Sequence, residues 1–473
     1  MTNSRAEATR AAWLDTMERT RYDAAAPGGT RLWSPRLDAA SADELRAIQD
    51  EKIAAVAPFL YENSPFYRRR FDRLGLAPTD LKSVDDLIAK WPVLDKAEMS
   101  EDAAAHPPYG TYSTMTDELW AERGWMMFSS SGSTGVPRIF RYSQHDREVW
   151  AWTNARALTS MDFRHGDTVF MITGYGPHVW AWGVQQGLAK MGIPVIPGGG
   201  MHAQMRANIV LRYDPTILLC TPSYALHLGR TLQDMGHDPA KTAVRTLFVA
   251  GEPGISVAAT RERIQDLWGA RMVEFYGCTE CSAHAGGYSC DASQPRDGEV
   301  FAHLMEDVQF WEVVDPVTRQ TLPDGTRGLT VCTNLNSESS PQLRFLVGDY
   351  TVLARGKCDC GRTHVRAMGS FCGRADDLIN LRGIKMFPVD IEDALRAVRG
   401  VGDEFEIVLS TTDAGLDVMT VRCEHGEASI AATIAAEIRS RIELRVDVEV
   451  LKPGTLPKTE FKARRVRDQR NRN

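Results

Sequence analysis

The chain has 473 residues, of which 43% are hydrophobic and 25% charged, and carries a formal net charge of −7. That length calls for more than one domain and a large core. The acidic balance gives no reason to expect nucleic-acid binding, and no apolar run approaches the ~20 residues that span a bilayer. The N-terminus sets Arg5, Glu7 and Arg10 among alanines with no apolar signal core, which predicts a cytoplasmic protein. Nine scattered cysteines predict reduced thiols, with any cluster more apt to hold metal than to form disulfides.

In chain order, residues 1 to about 110 alternate amphipathic helical stretches, Ala40 to Phe59 and Ser83 to Ile88, with Pro- and Tyr-containing loops. The run from Phe128 to Arg141 then brings five hydroxyls (Ser129, Ser130, Ser131, Ser133, Thr134) beside Gly132 and Gly135. Glycines let backbone N–H groups approach phosphate oxygens closely, so this loop can cradle phosphates. It lacks the spacing and lysine of the common P-loop, and taken alone such a loop is more commonly a flexible connection. From Thr168 onward short apolar runs alternate with helices: Thr168 to Thr173, Pro194 to Pro197, Thr216 to Cys220 and Thr246 to Ala250. That alternation predicts a parallel α/β fold, with ligands at the carboxyl ends of the strands. Val308 to Leu353 reads as β, with turns at Asp315-Pro316 and Pro323-Asp324-Gly325. A boundary is expected between Gly373 and Gly383. Beyond it come a helix (Pro388 to Val398), two alternating stretches (Glu404 to Leu409, Leu416 to Cys423), a helix (Ala428 to Leu444) and a strand (Val446 to Leu451), a small α+β lid domain.

Four further motifs follow the serine-rich loop in order: Phe275-Tyr276-Gly277-Cys278-Thr279-Glu280, Val347-Gly348-Asp349-Tyr350, Gly373-Arg374-Ala375-Asp376-Asp377, and Pro457-Lys458-Thr459-Glu460-Phe461-Lys462. Each is weak alone: Glu280 would be a surface or capping carboxylate, Asp349 a turn residue and Lys462 a solvated lysine. As an ordered set they resemble the adenylate-forming (acyl-CoA synthetase) superfamily. Asn63-Ser64-Pro65-Phe66-Tyr67, Gly174-Tyr175-Gly176, Thr221-Pro222-Ser223-Tyr224 and Gly251-Glu252-Pro253 extend the likeness to its phenylacetate-CoA ligase-like branch.

The resemblance implies an α/β enzyme with an N-terminal adenylation domain, residues 1–375, and a mobile C-terminal domain, residues 376–473. In that family a carboxylate attacks the α-phosphorus of ATP, pyrophosphate leaves, and a thiol then displaces AMP. The resemblance assigns Ser130, Ser131, Gly132, Ser133, Thr134 and Gly135 to the β- and γ-phosphates, and Glu280 to Mg²⁺, a hard cation suited to carboxylate oxygen. It gives Asp349 the ribose hydroxyls, Arg374 the ribose or phosphate, and Tyr276 the adenine, with Gly277 and Thr279 in the same motif. Gly251, Glu252 and Pro253 line the nucleotide. Lys462 is the cation of the adenylation step, Asp376 the hinge, and Gly383 and Lys385 face coenzyme A. Two departures stand out. Val136 replaces the loop's usual lysine, which leaves Arg138 to compensate, and Phe461 stands where a glycine usually precedes the terminal lysine.

The acyl pocket is expected at Tyr175, His178, Trp180, Trp182 and Cys278, whose flat walls suit an aromatic acid; core packing of the tryptophans is an equal alternative. Relatives of the branch place zinc at positions matching Cys290, His303, Cys358 and Cys360. A closed Cys₃His set would be structural, and unrelated reduced cysteines are the alternative. The expected partners are thus an aromatic acid, ATP with Mg²⁺, and coenzyme A, with no nucleic acid or membrane; a homodimer stays open. A carrier-protein thiol, an amine or nitrite remains as alternative acceptor. A non-catalytic nucleotide-binding protein needs neither Glu280 nor Lys462.

Overall fold

The computed structural model describes residues 4–21, 31–130, 138–176, 179–281, 286–293, 300–371, 373–382, 384–412, 416–458 and 465–470. These fall into two compact units. The first comprises 1–167, 174–195 and 275–369, and the second 168–173, 196–274 and 370–473. Ser131 to Pro137, His178, Gly383, Phe461 and Lys462 lie outside the described residues.

The first unit opens with helices Ser4–Arg19, Ala42–Asn63 and Pro65–Leu74. Ser41 and Glu44 form a reciprocal capping box that starts the second, where the sequence predicts a helix, and Gly75 ends the third in a left-handed conformation. Trp13 stacks on Phe59 at 4.9 Å and ties the first two together. The hairpin Gly124–Ser129 with Ile139–Ser143 flanks the serine-rich loop. Helices Gln144–Ser160 and Val179–Met191 then pack closely, because Gly187 sits where a Cβ would lie 2.5 Å from Cβ of Asn154. An antiparallel sheet follows in the order Gln309–Val314, Arg327–Asn334, Phe345–Ala354, Arg366–Met368, Phe301–His303, Gly287–Tyr288. It contains the predicted β region; at its first turn the Asp315 carboxylate accepts from the N–H groups of Val317 and Thr318.

In the second unit, strands Val169–Met171, Ile217–Cys220, Thr246–Val249 and the start of Arg271–Tyr276 pair parallel. Every residue of Ile217–Cys220 and Thr246–Val249 is buried, as expected for strands covered on both faces. Helices Ala203–Tyr213, Pro222–Asp234 and Ala258–Trp268 cover one face, packing on Leu218, Cys220, Leu247 and Val249. The Trp268 indole N–H donates to the carbonyl of Ala225 at 2.9 Å. From Ile379 the chain builds a separate sheet and core. The order is Asp447–Leu451, Asp417–Glu424, Phe405–Thr411, Val466–Asp468, with helices Pro388–Ala397 and Ala431–Ile442 packed on it. Four of the five predicted C-terminal elements start within one residue of the observed ones; the helix predicted from Ala428 begins with a 3₁₀ turn and becomes α-helical at Ala431. Val466–Asp468 escapes prediction because all three residues are exposed and two are charged, so it carries no apolar signal. No described helix is long and apolar enough to cross a membrane.

Candidate active site and metal centre

Strand Arg271–Tyr276 delivers the Tyr276 to Glu280 motif at its carboxyl end. Tyr276 donates its phenol to Oδ2 of Asp349 at 2.5 Å. Its ring meets Trp311 edge-on, with centroids 6.5 Å apart. Asp349 lies in strand Phe345–Ala354, is 7% exposed, and follows Gly348, whose φ of +89° only glycine adopts without strain. The Thr330 hydroxyl fixes its backbone by donating to the Asp349 carbonyl at 2.8 Å. The two residues that the sequence assigns to adenine and ribose are thus one hydrogen-bonded pair.

Glu280 is 6% exposed, and Arg138 donates Nη2–H to its Oε1. Arg138 Nη1–H donates to Oγ of Ser100 at 2.8 Å. Its backbone exchanges two bonds with Ser130: Ser130 N–H to the Arg138 carbonyl at 2.9 Å, and Arg138 N–H to Ser130 Oγ at 3.0 Å. Ser130 and Arg138, which flank the serine-rich segment, are therefore clasped, and the clasp reaches Glu280, the expected magnesium ligand. Tyr142, wholly buried with its phenol pushed up by desolvation, donates to the Thr279 carbonyl at 2.8 Å. Sequence reasoning missed Ser100 and Tyr142. Neither carries a local signal, since their partners lie 38 and 137 residues away.

Tyr175 and Trp182 meet edge to face at 4.8 Å, and the Trp182 indole donates to the Gly176 carbonyl at 3.1 Å. Burial pushes the Tyr175 phenol up. Tyr175, Trp180 and Trp182 are half-buried, whereas Trp150 and Trp152 are wholly buried core. Cys278 is half-buried; a hydrogen bond to Cys281, together with desolvation, raises its thiol pKa and keeps it neutral.

In the second unit Gly251 adopts φ +92°, and Glu252 turns back so that Oε1 accepts from the Ser223 N–H at 2.7 Å. That anchors the carboxylate at the N-terminus of helix Pro222–Asp234, where the helix dipole favours negative charge. Pro253 follows in the same turn. Arg374 pairs with Asp376 at 3.7 Å, and Lys385 is exposed on strand Ile384–Met386.

Cys290, His303, Cys358 and Cys360 converge, with their ligand atoms all within 4.8 Å of one another. Strand register brings them together: His303 pairs with Arg366 on one side and with Tyr288 on the other. Cys290 lies two residues past Tyr288, and the Cys358 to Arg362 turn leads into the Arg366 strand. That turn is closed by Cys358 N–H to the Arg362 carbonyl at 2.8 Å and Gly361 N–H to the Cys358 carbonyl at 2.9 Å. Cys290 Sγ lies 3.9 Å from Cys358 Sγ, and Cys360 Sγ 3.4 Å from His303 Nε2. Tetrahedral zinc with bonds of about 2.3 Å to sulfur and 2.0–2.1 Å to nitrogen requires roughly 3.8 Å and 3.5 Å for these two separations. His303 Nδ1 lies 3.3 Å from the carbonyl of His364. A carbonyl only accepts, so Nδ1 carries the proton and Nε2 keeps its lone pair for a metal. Three sulfurs and one imidazole in this arrangement fit zinc.

A sheet-borne Tyr–Asp pair, a buried carboxylate clasped to Ser130 and a C-terminal region with its own sheet and core are the features of an adenylate-forming enzyme. The profile of the AMP-binding enzyme family matches residues 74–333, and that of the AMP-binding enzyme C-terminal domain matches residues 383–470. The phenylacetate-coenzyme A ligase of Thermus thermophilus is 30% identical over 461 residues, covering 93% of this chain and all of the relative. That of Escherichia coli is 28% identical over 92% of this chain and 97% of its own. The crystal structure of 2-hydroxyisobutyryl-CoA ligase with its acyl-adenylate superposes with a TM-score of 0.87 at 28% identity, covering 94% of each chain. The chain belongs to the AMP-binding enzyme family, alongside the phenylacetate-coenzyme A ligases. It is an acid–thiol ligase that activates a carboxylic acid with ATP and passes the acyl group to coenzyme A.

Proposed function

We propose that the acid is aromatic, and that Tyr175, His178, Trp180, Trp182 and Cys278 receive its ring. The half-burial of Tyr175, Trp180 and Trp182 supports this, because tryptophans that merely filled a core would be as enclosed as Trp150. The neutral Cys278 thiol adds an uncharged surface suited to an apolar ring. The relatives named phenylacetate-coenzyme A ligases point to the same substrate class.

In this reading Asp349, held by Tyr276, accepts from the ribose hydroxyls, and Arg374 supports the nucleotide. Gly251, Glu252 and Pro253 border the nucleotide, and Ser130 to Gly135 cradle the β- and γ-phosphates. Glu280 offers the single protein carboxylate that Mg²⁺ commonly takes alongside substrate phosphates. When bound, Mg²⁺ neutralises charge on the phosphate oxygens. Lys462 stabilises the charge that develops as the carboxylate attacks the α-phosphorus. Residues 376–473 form the mobile domain, Asp376 is its hinge, and Gly383 and Lys385 serve coenzyme A. Zinc at Cys290, His303, Cys358 and Cys360 leaves no open ligand position, so its role is structural. The protein works in the cytoplasm.

The observation that carries the nucleotide assignment is the Tyr276–Asp349 bond, because it holds a buried carboxylate against Tyr276, the last residue of a strand that begins in the parallel set, and α/β folds bind ligands at such carboxyl ends. The test is a panel of aryl and short-chain acids with ATP, scoring pyrophosphate release with and without coenzyme A. Aryl acids should give both pyrophosphate and acyl-CoA. Preference for short-chain acids would overturn the aromatic assignment, and pyrophosphate without acyl-CoA would point to a carrier-protein thiol, an amine or nitrite as acceptor.

A further inference from the structure

Arg138 is the one described side chain bonded to Glu280 through a full charge, and it is also clasped to the residue that opens the phosphate loop. The guanidinium is 6% exposed and the carboxylate 8%, so water screens the pair little. Three of its groups have separate tasks. Nη2–H holds Glu280, Nη1–H holds Ser100 in helix Lys96–Ala105, and the backbone exchanges two bonds with Ser130. Its Nε–H has no partner among the described residues. A guanidinium fork can serve two acceptors in fixed directions; an ammonium offers no such plane. Residues 142 apart in sequence are thereby joined by a buried ion pair.

We infer that Arg138 is the positioning residue for Glu280: it holds the buried carboxylate in place, tied through its own backbone to Ser130, until the magnesium–nucleotide complex claims it. The inference rests on the proposed role of Glu280. A buried carboxylate with no counter-ion would be costly and would turn away or take up a proton.

The test uses the full chain with Arg138→Met, Arg138→Lys, Glu280→Gln and the Arg138→Met/Glu280→Gln double variant. The measurements are pyrophosphate release against ATP and Mg²⁺ concentration, the thermal midpoint without nucleotide, and thioester formation from supplied acyl-adenylate. Arg138→Met should lower kcat/KM for adenylation ~30-fold, a loss typical of one buried charge-assisted contact, and leave the thioester half-reaction within about threefold. In the Glu280→Gln background the same change should cost less than about threefold, since coupled residues are not additive. Arg138→Lys should recover part of the loss. The nucleotide-free thermal midpoint should fall in Arg138→Met and rise again in the double variant, which no longer buries an unpaired anion. Additive losses in adenylation with no midpoint recovery would overturn the role of Arg138 while leaving Glu280 in place. Full adenylation by Glu280→Gln would overturn the Glu280 reading itself. Should Arg138→Met not fold, Arg138→Lys with unchanged ATP and Mg²⁺ dependence would overturn the inference on its own.

Discussion

Replacing Tyr276 by Phe removes a single oxygen, and its consequence follows from the geometry. The phenol donates to Oδ2 of Asp349 at 2.5 Å, and the aspartate is only 7% exposed, so water replaces the lost donor poorly. A hydrogen bond to a charged group contributes about 1.5–3 kcal/mol. Losing it should weaken whatever the carboxylate holds by roughly 10- to 100-fold. The ribose lies away from the reacting phosphorus, so under the proposed assignment its contacts with Asp349 should change little between bound ATP and the transition state. The loss should therefore appear in KM for ATP, with kcat changed less than about twofold. The ring remains, as does its edge contact with Trp311, so the fold should be retained. The assay is pyrophosphate release at saturating acid, titrated with ATP, with Asp349→Asn as reference. A KM for ATP within twofold of wild type, or a fall in kcat at constant KM, would refute the assignment of this pair to the ribose.

Lys462→Ala should abolish adenylation but leave thioester formation from supplied acyl-adenylate largely intact; equal loss in both half-reactions would remove the assignment of Lys462 to the first step alone. Protein purified without added metal should contain about one equivalent of zinc, and Cys358→Ser should lower both zinc content and thermal midpoint; metal-free protein with an unchanged midpoint would defeat the zinc assignment. Glu274 offers a pH test. Burial pushes its carboxyl up to about 7, while hydrogen bonds from Ser370 and the Ile255 backbone partly oppose the shift. The folded state then keeps a proton that the unfolded chain releases above about 4.5. Stability should thus fall as pH rises from about 4.5 to 7 and level off beyond. Across that window wild type should lose about 1–3 kcal/mol more than Glu274→Gln, which cannot ionise. Parallel urea-unfolding profiles from pH 4.5 to 8 would refute this.

What could be read from sequence was whatever leaves a local trace. The buried parallel strands announce themselves because both faces are covered, making Ile217–Cys220 and Thr246–Val249 continuous apolar runs. Positive-φ positions such as Gly251 and Gly348 also show in their motifs, since that backbone conformation favours glycine. The tertiary ion pairs leave no such trace. Arg156 lies wholly buried between Asp38 and Asp307, 118 and 151 residues away, with the Lys52 ammonium on the Asp307 carbonyl. Nothing in the local pattern of any of these residues separates them from solvated charges. Arg138 and Glu280 belong to the same class, which is why the sequence could nominate each but not the bond between them. The metal centre is intermediate. Cys358-Asp359-Cys360 is visible as a spacing, yet Cys290 and His303 join it only through the pairing of His303 with both Tyr288 and Arg366. A one-residue slip in either pairing would turn His303 to the opposite face of the sheet and scatter the ligand set. The chemistry of this site is therefore fixed as much by strand register as by residue identity, and substitutions that disturb register should cost zinc even where all four ligands remain.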